Sequence, residues 1–120
     1  MNKTDDWYRD LIIDRYQNPR NRGKIKGVEA SEANLICGDK LRISAEIKGG
    51  VIKEIKFDGG GCAISMAAVD LLLDKIKGKK LGEIKKMSGK EIEEMMGVKL
   101  TPARKKCAYL GLEVVKKLGK

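Results

Sequence analysis

The chain has 120 residues, 42% of them hydrophobic and 36% charged. This length suits one domain, expected over residues 1–120, with a core large enough to fold without disulfides or structural zinc. The 26 basic and 17 acidic residues give a net charge of +9, which is compatible with a surface that binds nucleic acid. However, lysines and glutamates are interleaved from Lys75 to Lys99, and only five residues are aromatic. We therefore expect a solvated charged surface and no nucleic-acid partner.

The first predicted element is a helix over about residues 5–17. Thr4 followed by two aspartates is typical of a helix N-cap with an acidic first turn. Four apolar residues then recur at helical spacing: Tyr8, Leu11, Ile12 and Tyr16. Pro19 and Gly23 interrupt the pattern, and a loop with a weak first strand is expected to run to about Leu35.

A β-hairpin is predicted next. From residue 41 to residue 48, apolar side chains alternate with polar ones, which is typical of a half-buried strand. The expected core face carries Leu41, Ile43, Ala45 and Ile47, and the expected solvent face carries Arg42, Ser44, Glu46 and Lys48. Gly49–Gly50 indicates a two-residue turn, and residues 51–58 form the returning strand.

Three helices are predicted in the second half of the chain. Residues 63–76 form an apolar helix that Gly78 ends, and a short charged helix lies near residues 88–96. Thr101 and Pro102 open a long last helix that continues to about Leu118. Strands followed by helices indicate an α+β fold, with a small antiparallel sheet of about three strands, helices packed on one face, an N-terminal helix and a long C-terminal helix.

The chain has three cysteines and no histidine. The first residues lack the basic and then apolar pattern of a secretion signal, and the apolar runs are too short to span a membrane. We therefore expect a cytoplasmic protein with no membrane partner. In that reducing compartment an odd number of cysteines favours metal ligation or nucleophilic sulfur over a disulfide framework, although a buried cysteine that only packs is also common.

Cys62 lies between three glycines and a predicted helix start. Its sulfur would lie near unpaired backbone N–H groups and the positive end of the helix dipole, which both favour the thiolate. The glycines would also let the backbone pass close to a bound cluster. The alternative is a tight strand-to-helix turn with a buried cysteine.

Cys37 and Asp39 have the same parity as the core face of the hairpin, so an extended strand would point both side chains the same way, and both could bind one metal. The alternative for Asp39 is a turn residue. Cys107 falls on the second turn of the last helix beside three cations, residues 104–106, which would lower its pKa. Alternatively, Cys107 simply packs. Three thiolates and a carboxylate suit zinc or a [2Fe–2S] cluster equally well.

Four ordered motifs carry a resemblance that covers nearly the whole chain. They are Tyr16 to Gly23, Asn34 to Asp39, Gly59 to Ser65 and Arg104 to Leu110. Together they resemble the IscU/NifU N-terminal/SufU family of iron–sulfur cluster assembly scaffolds.

The resemblance implies an α+β domain that is a scaffold or carrier rather than an enzyme. Cys37, Cys62 and Cys107 would hold a nascent, transient [2Fe–2S] cluster, with Asp39 as a ligand or as a group that tunes release. The implied sulfur donor is a cysteine desulfurase, whose persulfide sulfur Cys107 or Cys62 would accept. The implied recipients are apo iron–sulfur proteins or carrier proteins, and zinc can take the place of the cluster.

Three departures from the family pattern bear on these expectations. Lys106 stands where IscU-type proteins have histidine, as is usual in SufU-type proteins, so Asp39 becomes the leading fourth ligand. The interval between Cys62 and Cys107 is too short for the SufU insertion, so the chain is a hybrid of the two subtypes. Residues 100–104 also differ from the Leu-Pro-Pro-Val-Lys segment by which IscU proteins engage a dedicated Hsp70 chaperone. We therefore do not expect that chaperone as a partner of this chain. The alternative function is a zinc-dependent SufU-like sulfurtransferase.

Overall fold

A computed structural model describes residues 3–34, 38–97 and 100–118, with side chains from residue 9 onward. Within these ranges the chain forms five helices and three strands. Their order is α1 (Lys3–Gln17), β1 (Val28–Asn34), β2 (Asp39–Lys48), β3 (Val51–Gly60), α2 (Ala63–Ile76), α3 (Leu81–Lys85), α4 (Gly89–Met96) and α5 (Pro102–Lys117). The predicted α+β fold, with its N-terminal helix and long C-terminal helix, is confirmed.

The three strands form one antiparallel sheet in the order β1-β2-β3. Gly49 and Gly50 form the turn between β2 and β3, both with positive φ, as a two-residue hairpin turn requires. At the other end of the sheet, Asn34 pairs with Asp39, and Lys40 pairs with Gly60. The end of β1, the start of β2 and the end of β3 therefore meet at one edge of the molecule.

The core lies between the sheet and the helices. The inner face of β2 contributes Leu41, Ile43 and Ala45, all buried as predicted. Helices α2 and α5 pack on this face, α1 packs on α2, and α4 lies against both α2 and α5. Because α2 is covered on so many sides, most of its residues are buried, which fixes the position of its first residues at the edge described above.

The prediction that Ser44 faces solvent is wrong, because the chain before β1 covers this part of the outer face. Gly23 N donates to the carbonyl of Phe57 on the free edge of β3 at 2.8 Å. The chain then crosses the outer face toward β1, and Ile25 N donates to Ser44 Oγ at 3.0 Å. Ser44 is consequently buried, whereas Arg42 and Glu46 are exposed as expected.

Some local predictions differ from the structure. Helix α1 begins at Lys3, so Thr4 lies inside it rather than at its N-cap. Tyr16, one of the four residues noted for their helical spacing, is 46% exposed, whereas Ile12 and Arg15 of the same helix are buried. Strand β3 continues two residues beyond the predicted end, and α3 was not predicted. None of the helices in the described ranges is both long and apolar enough to cross a membrane.

Candidate metal centre

Three of the four predicted ligands converge at the sheet edge. The ligand atoms of Asp39, Cys62 and Cys107 all lie within 4.8 Å of one another. They come from the start of β2, the residue before α2 and the second turn of α5. The fourth predicted ligand, Cys37, lies outside the described residues.

Cys62 is the N-cap residue of α2, as its position between the glycines and the helix predicted. Its backbone is extended, with φ −73° and ψ 164°, and its Sγ accepts a hydrogen bond from Ser65 N at 3.4 Å. The sulfur therefore takes the role that a serine or aspartate oxygen usually has at a helix start, where N–H groups favour negative charge. The residue is partly exposed.

Asp39 is a strand residue rather than a turn residue, because Gly38 occupies the turn with φ +72°. Its side chain is fully buried. Oδ1 accepts from Cys62 N at 2.8 Å, and Oδ2 accepts from the Ser65 hydroxyl at 2.5 Å. A buried carboxylate requires such donors, and these two direct it toward the start of α2.

Two residues of the triple glycine lie closely against β2. A Cβ on Gly61 would lie 2.2 Å from Asp39 Oδ1, and a Cβ on Gly59 would lie 2.1 Å from the carbonyl oxygen of Lys40. A Cβ on Gly60 would meet nothing within 4 Å. Two of the three glycines therefore allow close contact with β2 and the Asp39 side chain, and their expected close approach to a bound cluster stays a prediction.

Cys107 is 2% exposed and lies on the side of α5 that faces the core. Asn34 Nδ2, at the end of β1, lies 4.0 Å from its sulfur. Of the three neighbouring cations, Lys105 forms an ion pair with Glu93 at 3.6 Å, and Arg104 and Lys106 are exposed. The lowered pKa expected for Cys107 stays a prediction.

Ser65 is a member of the site that the sequence patterns did not single out. It is 2% exposed, and its hydroxyl oxygen lies 2.5 Å from Asp39 Oδ2 and 3.1 Å from the carbonyl oxygen of Cys107. Cys62 Sγ is 3.6 Å from the same oxygen. The position of Ser65 three residues after Cys62 could have indicated this role, because a polar residue three positions after an N-cap often contacts the cap.

A second polar group holds the Asn18–Gly23 motif against α2. Asp70, buried in the middle of α2, accepts from the backbone N–H groups of Arg20 and Asn21 at 2.9 and 2.8 Å and from Arg15 Nη1 at 2.8 Å. From the same loop, Arg22 Nη2 donates to the carbonyl oxygen of Gly59 at 2.6 Å. The motif thus reaches the glycine turn that precedes Cys62.

The donor set suits a thiophilic metal. Ligand atoms around a tetrahedral zinc ion, bound at roughly 2.0–2.3 Å, lie roughly 3.3–3.8 Å apart. The three described ligand atoms, all within 4.8 Å of one another, need a contraction of only about 1 Å to reach that geometry. Two sulfurs and one carboxylate fit zinc, and fit iron in a sulfide-bridged cluster.

Comparison with known proteins gives concordant results. Residues 7–118 match the family model described as the NifU-like N terminal domain. The chain is 36% identical to the zinc-dependent sulfurtransferase SufU of Bacillus subtilis, covering 94% of this chain and 89% of that protein. It is 33% identical to the iron–sulfur cluster assembly scaffold protein IscU of Thermotoga maritima, covering 91% and 89%.

Solved structures agree with these relatives. A crystal structure from Fervidobacterium islandicum, described as an iron–sulfur cluster assembly scaffold protein for the SUF system, matches with a TM-score of 0.80 at 28% identity. The match covers 92% of this chain and 95% of that one.

Proposed function

Since this chain belongs to the NifU-like N-terminal domain family, we propose that it is an iron–sulfur cluster assembly scaffold and has no substrate of its own to turn over. The observation that carries the proposal is the convergence of Asp39, Cys62 and Cys107 from three separate segments at one edge of the sheet. The relatives named IscU, which are scaffold proteins, support it. We further propose that residues 1–120 act as one domain.

The proposed cargo is a [2Fe–2S] cluster held by Cys37, Cys62, Cys107 and Asp39. Three thiolates and one carboxylate give an unequal ligand set, in which the oxygen is the weaker partner for a soft, sulfide-bridged iron. A carrier needs such a set because it must bind the cluster and also release it. Apo iron–sulfur proteins or carrier proteins would receive the cluster in the cytoplasm.

The proposed sulfur donor is a cysteine desulfurase. A thiolate of the scaffold would attack the terminal sulfur of the donor's persulfide, so that one S–S bond forms on the scaffold while the donor's S–S bond breaks and its thiolate leaves. Electrons from a reductant would then convert the bound sulfur to sulfide. Cys62 and Cys107 are the candidate acceptors, and the partial exposure of Cys62 compared with the burial of Cys107 favours Cys62.

Anaerobic reconstitution tests the scaffold proposal. With ferrous iron and sulfide, the wild-type protein is expected to develop the visible absorption of a [2Fe–2S] cluster, and Cys37→Ala is expected to lose it. Ser44→Ala is the control, since Ser44 lies on the outer face of the sheet, where its hydroxyl accepts a hydrogen bond from Ile25 N. Absence of the spectrum from every wild-type preparation would contradict the proposal.

The second candidate is a zinc-dependent sulfurtransferase that relieves a desulfurase of its persulfide. The 36% identity to SufU of Bacillus subtilis and the presence of Lys106 favour it. The two candidates differ in metal content after growth in iron-rich and in zinc-rich medium. Tight zinc in both media, with strong stimulation of desulfurase turnover, would favour the sulfurtransferase.

A further inference from the structure

Ser65 contacts every described ligand residue of the candidate centre. Its backbone N–H donates to Cys62 Sγ at 3.4 Å, and its hydroxyl oxygen lies 2.5 Å from Asp39 Oδ2 and 3.1 Å from the carbonyl oxygen of Cys107. The residue is buried and sits in the first turn of α2. Its position is therefore set by the helix, and the ligands are arranged around it.

A serine hydroxyl has one proton and two nearby acceptors at this site. The shorter distance and the charge of the carboxylate place the proton on the Asp39 side, because hydrogen bonds to ionised groups are shorter and stronger than neutral ones. When Asp39 turns away, the hydroxyl can rotate to the Cys107 carbonyl at 3.1 Å. The buried hydroxyl thus keeps a partner whether or not Asp39 is bound to it.

We propose that Ser65 is a positioning residue that holds the Asp39 carboxylate toward α2 and so makes Asp39 a displaceable metal ligand. The inference rests on the proposed function of the centre. Both carboxylate oxygens accept hydrogen bonds, from Cys62 N and from Ser65 Oγ. The contraction of the ligand atoms, which lie within 4.8 Å of one another, onto one metal would draw the carboxylate away from Ser65 and lengthen this hydrogen bond, and metal release would restore it. Ser65 consequently speeds the release of the cargo.

The test uses the zinc-loaded full chain and an excess of a chromophoric zinc chelator. Ser65→Ala removes the competing donor, so zinc release is expected to be about tenfold slower than in wild type, the size expected for one hydrogen bond to a charged group. Ser65→Thr keeps the hydroxyl and is expected to release zinc at nearly the wild-type rate. Ser44→Ala, which removes another buried serine hydroxyl on the opposite sheet face, is the matched control. Release from Ser65→Ala at or above the wild-type rate overturns the proposal.

A second measurement needs no metal and separates this inference from the proposed function. Hydrogen exchange of the Cys62 amide, which donates to Asp39 Oδ1 at 2.8 Å, reports how firmly the carboxylate is held. Ser65→Ala is expected to speed this exchange in the metal-free protein, and Ser65→Thr to leave it nearly unchanged. An unchanged rate in Ser65→Ala overturns the positioning role. A chain that binds neither zinc nor cluster refutes the proposed function, and the exchange rate then decides the role of Ser65 by itself.

Discussion

Gly61 is required by the side chain of Asp39 rather than by its own backbone conformation. Its φ lies outside the left-handed region that favours glycine, so backbone strain gives no reason for it. A Cβ at this position would lie 2.2 Å from Oδ1 of Asp39 and 2.8 Å from its Cγ. Asp39 is fully buried and is held by Cys62 and Ser65, so a methyl group on Gly61 would push the carboxylate out of the position that these hydrogen bonds give it.

Gly61→Ala is therefore expected to destabilise the fold and to weaken metal binding together. Overpacking of this kind costs about 1–3 kcal/mol, measurable as a change in the free energy of unfolding by urea, and displacement of Asp39 should also reduce the zinc bound per chain. Gly60→Ala is the matched control, because its Cβ would meet no atom within 4 Å. Equal behaviour of the two variants would contradict this account of Gly61.

Helix α1 and the loop that follows it are attached to α2 by a group of polar residues, of which Arg15 and Asp70 are buried and Asp74 is 40% exposed. Arg15 Nη1 donates to Asp70 and Asp74 at 2.8 and 2.5 Å, and Asn21 Nδ2 donates to Asp74 at 2.9 Å. Burial acts to lower the pKa of Arg15, but the two carboxylates outweigh it and raise that pKa above its ordinary value. Burial likewise acts to raise the pKa of Asp74, but hydrogen bonds from Asn21 and Arg15 lower it below 3.8 overall.

The lowered pKa of Asp74 predicts a stability contribution that depends on pH. The contribution is fully present above the ordinary value of 3.8 and is lost as the pH falls through the lower pKa of the folded state. Asp74→Asn should thus be less stable than wild type near pH 7, and the difference should shrink on acidification below about pH 4. Urea unfolding at several pH values measures it. Asp14→Asn, which changes an exposed carboxylate of α1, is the control, and a difference independent of pH would contradict the prediction.

The molecule as a whole places its candidate centre where the ends of several elements meet. The start of β2, the start of α2 and the second turn of α5 each contribute one described ligand. These segments are far apart in sequence, since Asp39 and Cys62 are 23 positions apart and Cys62 and Cys107 are 45 positions apart. These residues are together only in the folded chain, so the proposed metal binding would be thermodynamically coupled to folding.

Zinc is accordingly expected to stabilise the whole fold. A metal that binds the folded state alone adds about 2.7 kcal/mol at a free concentration of 100 times its Kd. Thermal unfolding with and without zinc should show a clear rise in Tm for wild type and a much smaller rise for Cys107→Ala. Gly60→Ala should respond like wild type, since Gly60 lies in open space. A rise of equal size in Cys107→Ala would place the zinc elsewhere.

Local sequence patterns determined much of the fold. Three local signals were sufficient to place a strand, a turn and a helix start, because each acts between residues close in the chain. They are the alternation from Leu41 to Ala45, the glycine pair at the hairpin turn and the Thr101–Pro102 pair. The same patterns placed Cys62 at a helix N-cap and Cys107 on the second turn of the last helix. The four ordered motifs also indicated the family, because their order and spacing along the chain are properties of the sequence alone.

Tertiary structure alone decided which groups surround the ligands. Ser44 is buried because the loop before β1 crosses the sheet, and Tyr16 is exposed because α1 meets α2 through Arg15 and Ile12. The contact between Gly61 and Asp39, and the three contacts of Ser65, join residues from different elements. Periodicity and propensity describe neighbours along the chain, whereas these distances depend on how strands and helices pack, and local patterns carry no such information.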